Sequence, residues 1–265
     1  MTFQVHAALT TPFAENGSVD VDALRLHIEL LAEDGVDGIV PAGTTGEGPL
    51  LEESEVATAV QTAAGRMEVI AHVGRASTPA TLRLARAAIG SGVDALLAIT
   101  PYYYPYESDA LGAHYRALLE VARGTPVLAY AFPDRSGNEL QPELVDKLAG
   151  EGLAGLKDST KSPERHAEYL EVARRHEGFR LFVGSETLTL QSMKAGAAGA
   201  ISALANARAD VLLGVREEGS EAAQEAVNRA RAELSDIPDI KRAVRGRLAE
   251  RGADYPDAAR APLGA

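Results

Sequence analysis

"TTPFAENG", residues 10–17, follows the first strand-like run of the chain, "QVHAAL" (4–9), and its reading decides between two folds. An open, doubly wound α/β sheet carries a Gly-rich fingerprint, G-x-G-x-x-G, in the turn after its first strand. No such fingerprint is present in 10–17. Further along lie seven more short runs rich in Val, Ile, Leu and Ala: "GIVPA" (38–42), "VIAHV" (69–73), "ALLAIT" (95–100), "VLAYAF" (127–132), "LAGLK" (153–157), "RLFVG" (180–184) and "GAISAL" (199–204). Between them apolar residues recur three and four apart, as in Leu24, Ile28 and Leu31 or Val56, Val60 and Ala63, the spacing of one helix face. "STPATLRLARAAIGSG" and "SPERHAEYLEVARR" open with a Ser or Thr cap and a proline in the first turn. Eight alternating strand–helix units predict a closed α/β structure, a (β/α)8 TIM barrel, a fold typically built from about 250 residues. We place the barrel at residues 1–218 and a short helical C-terminal region at 219–265, with helices near 220–235 and 238–251.

Composition narrows the chemistry. The chain has 265 residues, 46% hydrophobic and 24% charged, within the range of globular proteins. It has no cysteine, which excludes disulfides, thiolate metal sites and a cysteine nucleophile. A net charge of −12 argues against nucleic acid or an anionic membrane as partner. No apolar run approaches the roughly 20 residues that span a bilayer, and "MTFQVHAALTTPF" has no signal-like pattern, so a cytoplasmic location is expected. The basic stretch "DIKRAVRGRLAERG" (239–252) reads as the solvated face of a helix. Of the six histidines, His27, His114 and His166 read as helix-surface or helix-face residues and His72 as a hydrogen-bonded interior one. None has metal-ligand spacing, so no metal is expected, and no G-x-S-x-G elbow is present.

Parallel barrels carry their active sites at the C-terminal ends of the strands. Chemistry-bearing residues follow those ends here. "GTTGEG" (43–48) offers backbone amides and the hydroxyls of Thr44 and Thr45 to a carboxylate or phosphate, or forms a plain strand–helix turn. "PYYYPY" (101–106) holds four of the eight tyrosines, three of them consecutive (Tyr102, Tyr103 and Tyr104), and Tyr130 closes the fifth run. The sixth ends in Lys157, one of only five lysines and the one directly following a short apolar run. The other four, Lys241 among them, lie in polar surroundings. Desolvation favours the neutral amine, a nucleophile toward carbonyls. An ion pair with Asp158 or Glu47 is the rival explanation of Lys157.

"GTTGEG", "PYYYP", "YAFPDRSG" and "GLKDS", in this order, resemble the dihydrodipicolinate synthase / N-acetylneuraminate lyase family, Schiff-base-forming class I pyruvate aldolases, over residues 3–210. "FVGSETLTLQSMKAGAAGAISALAN" (182–206) resembles the family's seventh and eighth strand segment. The resemblance implies an imine between Lys157 and pyruvate or another 2-keto acid, with no further cofactor. It implies that Thr44 and Thr45 bind the keto acid's carboxylate, and that Tyr130 shuttles protons. Thr44 would link Tyr130 to Tyr103, which in many members reaches a neighbouring subunit's site, so a homo-oligomer (dimer or tetramer) is implied. Gly184 and Ile201 fall where members line the pocket. Arg135 resembles the arginine with which dihydrodipicolinate synthases bind aspartate semialdehyde. "PYYYP" and "GLKDS" look more like the 2-keto-3-deoxygluconate aldolases, and the family's Tyr-Asn-x-Pro is here Tyr130-Ala131-Phe132-Pro133. A synthase of the first kind is the leading expectation. The alternatives are a 2-keto-3-deoxygluconate-type aldolase and a keto-acid-binding homologue without turnover. A barrel for phosphorylated substrates ranks last, with little beyond Arg208 to hold a phosphate.

Overall fold

The computed structural model describes residues 2–263. The first half of the barrel runs β1 (Gln4–Ala7), α1 (Val21–Glu33), β2 (Gly38–Ile39), α2 (Glu53–Ala63), β3 (Glu68–His72), α3 (Thr78–Gly90), β4 (Ala95–Ile99) and α4 (Ser108–Ala122). The second half runs β5 (Val127–Ala131), a one-turn α5 (Pro133–Ser136), α6 (Pro142–Gly150), β6 (Gly155–Asp158), α7 (Pro163–Arg175), β7 (Arg180–Val183), α8 (Thr189–Ala195), β8 (Gly199–Ser202) and α9 (Ala205–Glu218). Two more helices follow, α10 (Glu221–Glu233) and α11 (Ile237–Ala249). The eight strands pair in sequence order, and β1 closes on β8, all parallel. The expected (β/α)8 TIM barrel is the fold observed.

Strand alternation sorts the side chains. Leu97 and Ile99 of β4, Leu128 and Tyr130 of β5, Phe182 of β7 and Ile201 of β8 fill the barrel interior. Their sequence neighbours Leu96, Ala98, Ala129, Leu181 and Ala200 join the layer between strands and helices. There they meet Leu24, Ile28 and Leu31 of α1 and Val56, Val60 and Ala63 of α2, the spacing read from the sequence. Each such Val, Ile or Leu contributes about 1.5–3 kcal/mol on full burial. The capping devices also form: Ser77 Oγ accepts from the Ala80 amide at 3.4 Å and Ser162 Oγ from the Arg165 amide at 3.1 Å.

Three readings need correction. His27, His114 and His166 sit on helices but are buried, because the faces they occupy pack against neighbouring elements. Lys241 is fully buried rather than solvated. Its helix, α11, also buries Ile240, Val244 and Leu248, so 239–252 is amphipathic and not a wholly solvated face. After residue 218 the chain packs back on the barrel. Val244, Leu248 and Tyr255 form a small core with Ala23 and Leu30 of α1 and Ala207 of α9. Tyr255 is also hydrogen-bonded to Thr10 at 2.7 Å.

Candidate active site

A cavity of about 440 Å³ opens at the C-terminal ends of the strands. The register of β5 on β6 sets Tyr130 directly beside Lys157. Alternation turns Lys157 inward while Leu156 and Asp158 face the helices. Lys157 Nζ lies 4.5 Å from the centre of the Tyr130 ring. Lys157 is 6% exposed, and both carboxylates that could have neutralised it are engaged elsewhere. Asp158 bonds His166 at 2.8 Å, and Glu47 bonds Lys241 at 2.7 Å. The ion-pair explanation of this lysine therefore fails.

Gly184, at the end of β7, makes room for it. A Cβ there would lie 3.1 Å from Lys157 Cε, 3.0 Å from the Asp158 carbonyl and 2.1 Å from Ser159 Oγ. Across the mouth stands the loop after β2. Ala42 and Glu47, neither of them glycine, adopt left-handed φ of 58° at its two ends, a conformation that costs energy and clusters at functional sites. The fold over-determines this shape. His72 bonds the Ala42 carbonyl at 3.0 Å through Nδ1 and receives the Ile99 amide at 3.3 Å on Nε2. Burial, assisted by the nearby Arg75, pulls its pKa to about 3. The ring is thus neutral and donates through Nδ1. Its edge meets the Tyr130 ring at 6.0 Å, bracing the tyrosine from behind. Thr44 and Thr45 line the cavity between these supports.

Of the residues expected from sequence, Lys157, Tyr130, Thr44, Thr45, Arg135, Gly184 and Ile201 line this one cavity. Arg135 reaches it from α5. Its neighbour Asp134 is held by Lys161 at 2.8 Å. Tyr103 is not brought in. It is 83% exposed, at φ 85°, stacked edge-on against Tyr104 at 4.9 Å. Within one chain the link from Tyr130 through Thr44 to Tyr103 is not made.

Sequence reading missed part of the wall. Ile237, Pro238 and Ile240 of α11 line the cavity, as do Arg231 of α10 and Glu186, which follows β7. The Glu186 carboxylate accepts from Ser202 Oγ at 2.8 Å and lies 3.5 Å from Arg231 Nε. Glu186 follows a strand end, on the rim where the barrel rule places chemistry, and the sequence assigns it no role. The α11 residues had no such signal. An amine beside a phenol, hydroxyls and amides on a braced loop, and an arginine at the rim suit covalent capture of a carbonyl compound carrying a carboxylate.

Known proteins resemble this chain along its length. The sequence profile of the dihydrodipicolinate synthetase family matches residues 1–264. A protein of Halobacterium salinarum, named an uncharacterized DapA-like lyase, is 34% identical over 242 residues, 89% of this chain and 77% of that protein. The 4-hydroxy-tetrahydrodipicolinate synthase of Methylococcus capsulatus is 36% identical over 230 residues, 84% of this chain and 78% of that one. The solved dihydrodipicolinate synthase of Aquifex aeolicus superposes with a TM-score of 0.83 at 30% identity, covering 98% of this chain and 92% of that one.

Proposed function

The chain belongs to the dihydrodipicolinate synthetase family and is a lyase, and from that footing we propose that it joins pyruvate to an aldehyde bearing a carboxylate, in the manner of dihydrodipicolinate synthase. Lys157 Nζ adds to the keto carbon of pyruvate, and water leaves as the imine forms. Loss of a proton from the methyl carbon gives the enamine, which forms the new bond to the aldehyde carbon. The resulting alkoxide takes up a proton, and water then hydrolyses the imine to free Lys157. Tyr130, against the lysine, carries protons in both imine steps. Thr44 and Thr45 hold the pyruvate carboxylate. Tyr103, exposed on the rim, serves the cavity of a second copy of the chain.

The single observation that carries the choice of aldehyde is Arg135, which lines the same cavity as Lys157 and whose guanidinium is suited to gripping a carboxylate with two hydrogen bonds. A second reading, an aldolase of the 2-keto-3-deoxygluconate type, draws on Glu186, a carboxylate in the wall able to accept from sugar hydroxyls.

Borohydride reduction in the presence of pyruvate is expected to leave a pyruvate-derived mass on Lys157, and an unmodified lysine in folded protein would overturn the imine. An aldehyde panel decides the rest. Arg135→Ala should lower kcat/KM with aspartate semialdehyde by about 10- to 100-fold, the worth of a charged hydrogen-bonded contact, and leave glyceraldehyde unaffected. Turnover of glyceraldehyde alone favours the second reading. Imine formation with no aldehyde turned over favours a binding homologue.

A further inference from the structure

The second buried lysine carries more than the packing of α11. Lys241 and Glu47 are both fully buried and 2.7 Å apart. The Lys241 ammonium also donates to the Ala258 carbonyl at 2.6 Å and lies 4.7 Å from the centre of the Phe13 ring. The other Glu47 oxygen receives the Arg260 amide at 2.7 Å. Both carboxylate oxygens are therefore held from the C-terminal region, one by a helix and one by the tail. The tail is itself fastened: the Arg260 guanidinium bonds Glu55, the Leu50 carbonyl and the Gly17 carbonyl.

Glu47 is the left-handed residue that ends the Thr44–Thr45 loop. Its amide donates to the Thr44 carbonyl at 3.1 Å, so its position sets the turn that presents both hydroxyls. Removing a buried charge from its partner is strongly unfavourable, which makes the pair a stiff hold on that turn. On the opposite side, Ile240, next to Lys241, walls the cavity.

We infer that Lys241 and Glu47 are positioning residues. Through them the C-terminal region holds the Thr44–Thr45 loop in the shape that grips the carboxylate of the 2-keto acid. This rests on the reading of that loop as the keto-acid carboxylate site. Neither side chain touches substrate.

The test uses the full chain with Lys241→Met, Glu47→Gln and the double variant, which leaves no buried charge unpaired. Two readouts are taken: the pyruvate concentration that half-saturates borohydride trapping on Lys157, and hydrogen exchange of the amides of residues 43–48. Each single variant should raise the pyruvate half-saturation about tenfold or more, the cost of a slightly misplaced binding group, and speed exchange in the loop. A lower melting temperature with wild-type half-saturation and wild-type loop exchange would reduce the pair to a brace of the fold and overturn the inference. Where a single variant does not fold, the double variant decides by the same two readouts. Absence of trapping in the wild type would count against the imine reading alone, since loop exchange still reports whether the pair holds the turn.

Discussion

Gly184 shows how far a single atom governs the lysine. The Cβ of an alanine there would press on Ser159 Oγ, the Asp158 carbonyl and Lys157 Cε. The serine can rotate aside, but the carbonyl belongs to the ladder and the lysine has the Tyr130 ring beside it. Gly184→Ala should therefore fold and slow pyruvate trapping on Lys157 by about 10- to 100-fold, the penalty for a nucleophile pushed off line. Adding Ser159→Ala should restore only part of the rate. Time courses by mass spectrometry check both, and full recovery in the double variant would put the serine, not the lysine, at the origin of the defect. Lys157 and Tyr130 were legible because each stands at the end of an apolar run of strand length, and the barrel rule turns that position into a location, whereas Arg135 was read from the resemblance of "PDRSG" alone. Lys241 was not. Its surroundings in sequence are polar, and the partner that buries it, Glu47, is 194 residues away, a distance that local pattern does not encode.

The end of β6 illustrates how an element is anchored while its residues serve opposite faces. Lys157 points into the barrel and Asp158 out of it. Asp158 receives the Thr160 amide and hydroxyl at 2.8 and 2.7 Å on one oxygen. Its other oxygen meets His166 of α7, whose far nitrogen meets Ser192 of α8 at 2.8 Å. Serine, histidine and aspartate in line would suggest a hydrolase, but Ser192 is fully buried and no substrate reaches it. The line ties β6 to two helices. His166→Ala should lower stability by about 2–4 kcal/mol, the cost of stripping a buried carboxylate of a partner. In urea the midpoint should fall with the m-value unchanged; an unmoved midpoint would show that Thr160 alone satisfies the aspartate. Strand limits were less legible than strand identity. "GIVPA" reads as five residues, whereas β2 is Gly38–Ile39, although Val40 and Pro41 still bond the backbone beside β1 and β3 (Val40 to Ala7 at 2.7 Å, His72 to Pro41 at 3.0 Å) before the Thr44–Thr45 loop begins.

At the scale of the whole molecule, the barrel was legible because eight repeated units all carried the same pattern, so errors at single boundaries did not matter. The packing of α10 and α11 on the mouth was not, since amphipathic helices record that they are covered but not by what. The same holds for the histidines, whose burial gives the molecule a pH dependence. Burial lowers the pKa of His27 to about 4, of His72 to about 3 and of His114 to about 4, from an ordinary 6.5. Above 6.5 these rings are neutral in both the native and the unfolded chain and add no pH dependence. As pH falls below 6.5 the unfolded chain takes up protons that the native one refuses, and stability declines until the native values near 4 and 3 are passed. Each histidine adds a slope of up to ~1.4 kcal/mol per pH unit in that window. Glu68 extends the loss further into acid. Burial raises its pKa, but hydrogen bonds from His6 and Arg180 outweigh this and bring it from 4.5 to about 2. Its contribution is complete above 4.5 and disappears as pH falls toward 2. Urea titrations at steps from pH 6.5 to 4 should show stability falling before the carboxylates protonate. His114→Asn, which keeps a hydrogen-bonding group for Thr78 (2.9 Å from His114 Nδ1) and removes the titrating ring, should flatten that slope by about one proton's worth. An identical slope in the variant would mean that His114 is charged in the native barrel, contrary to its burial.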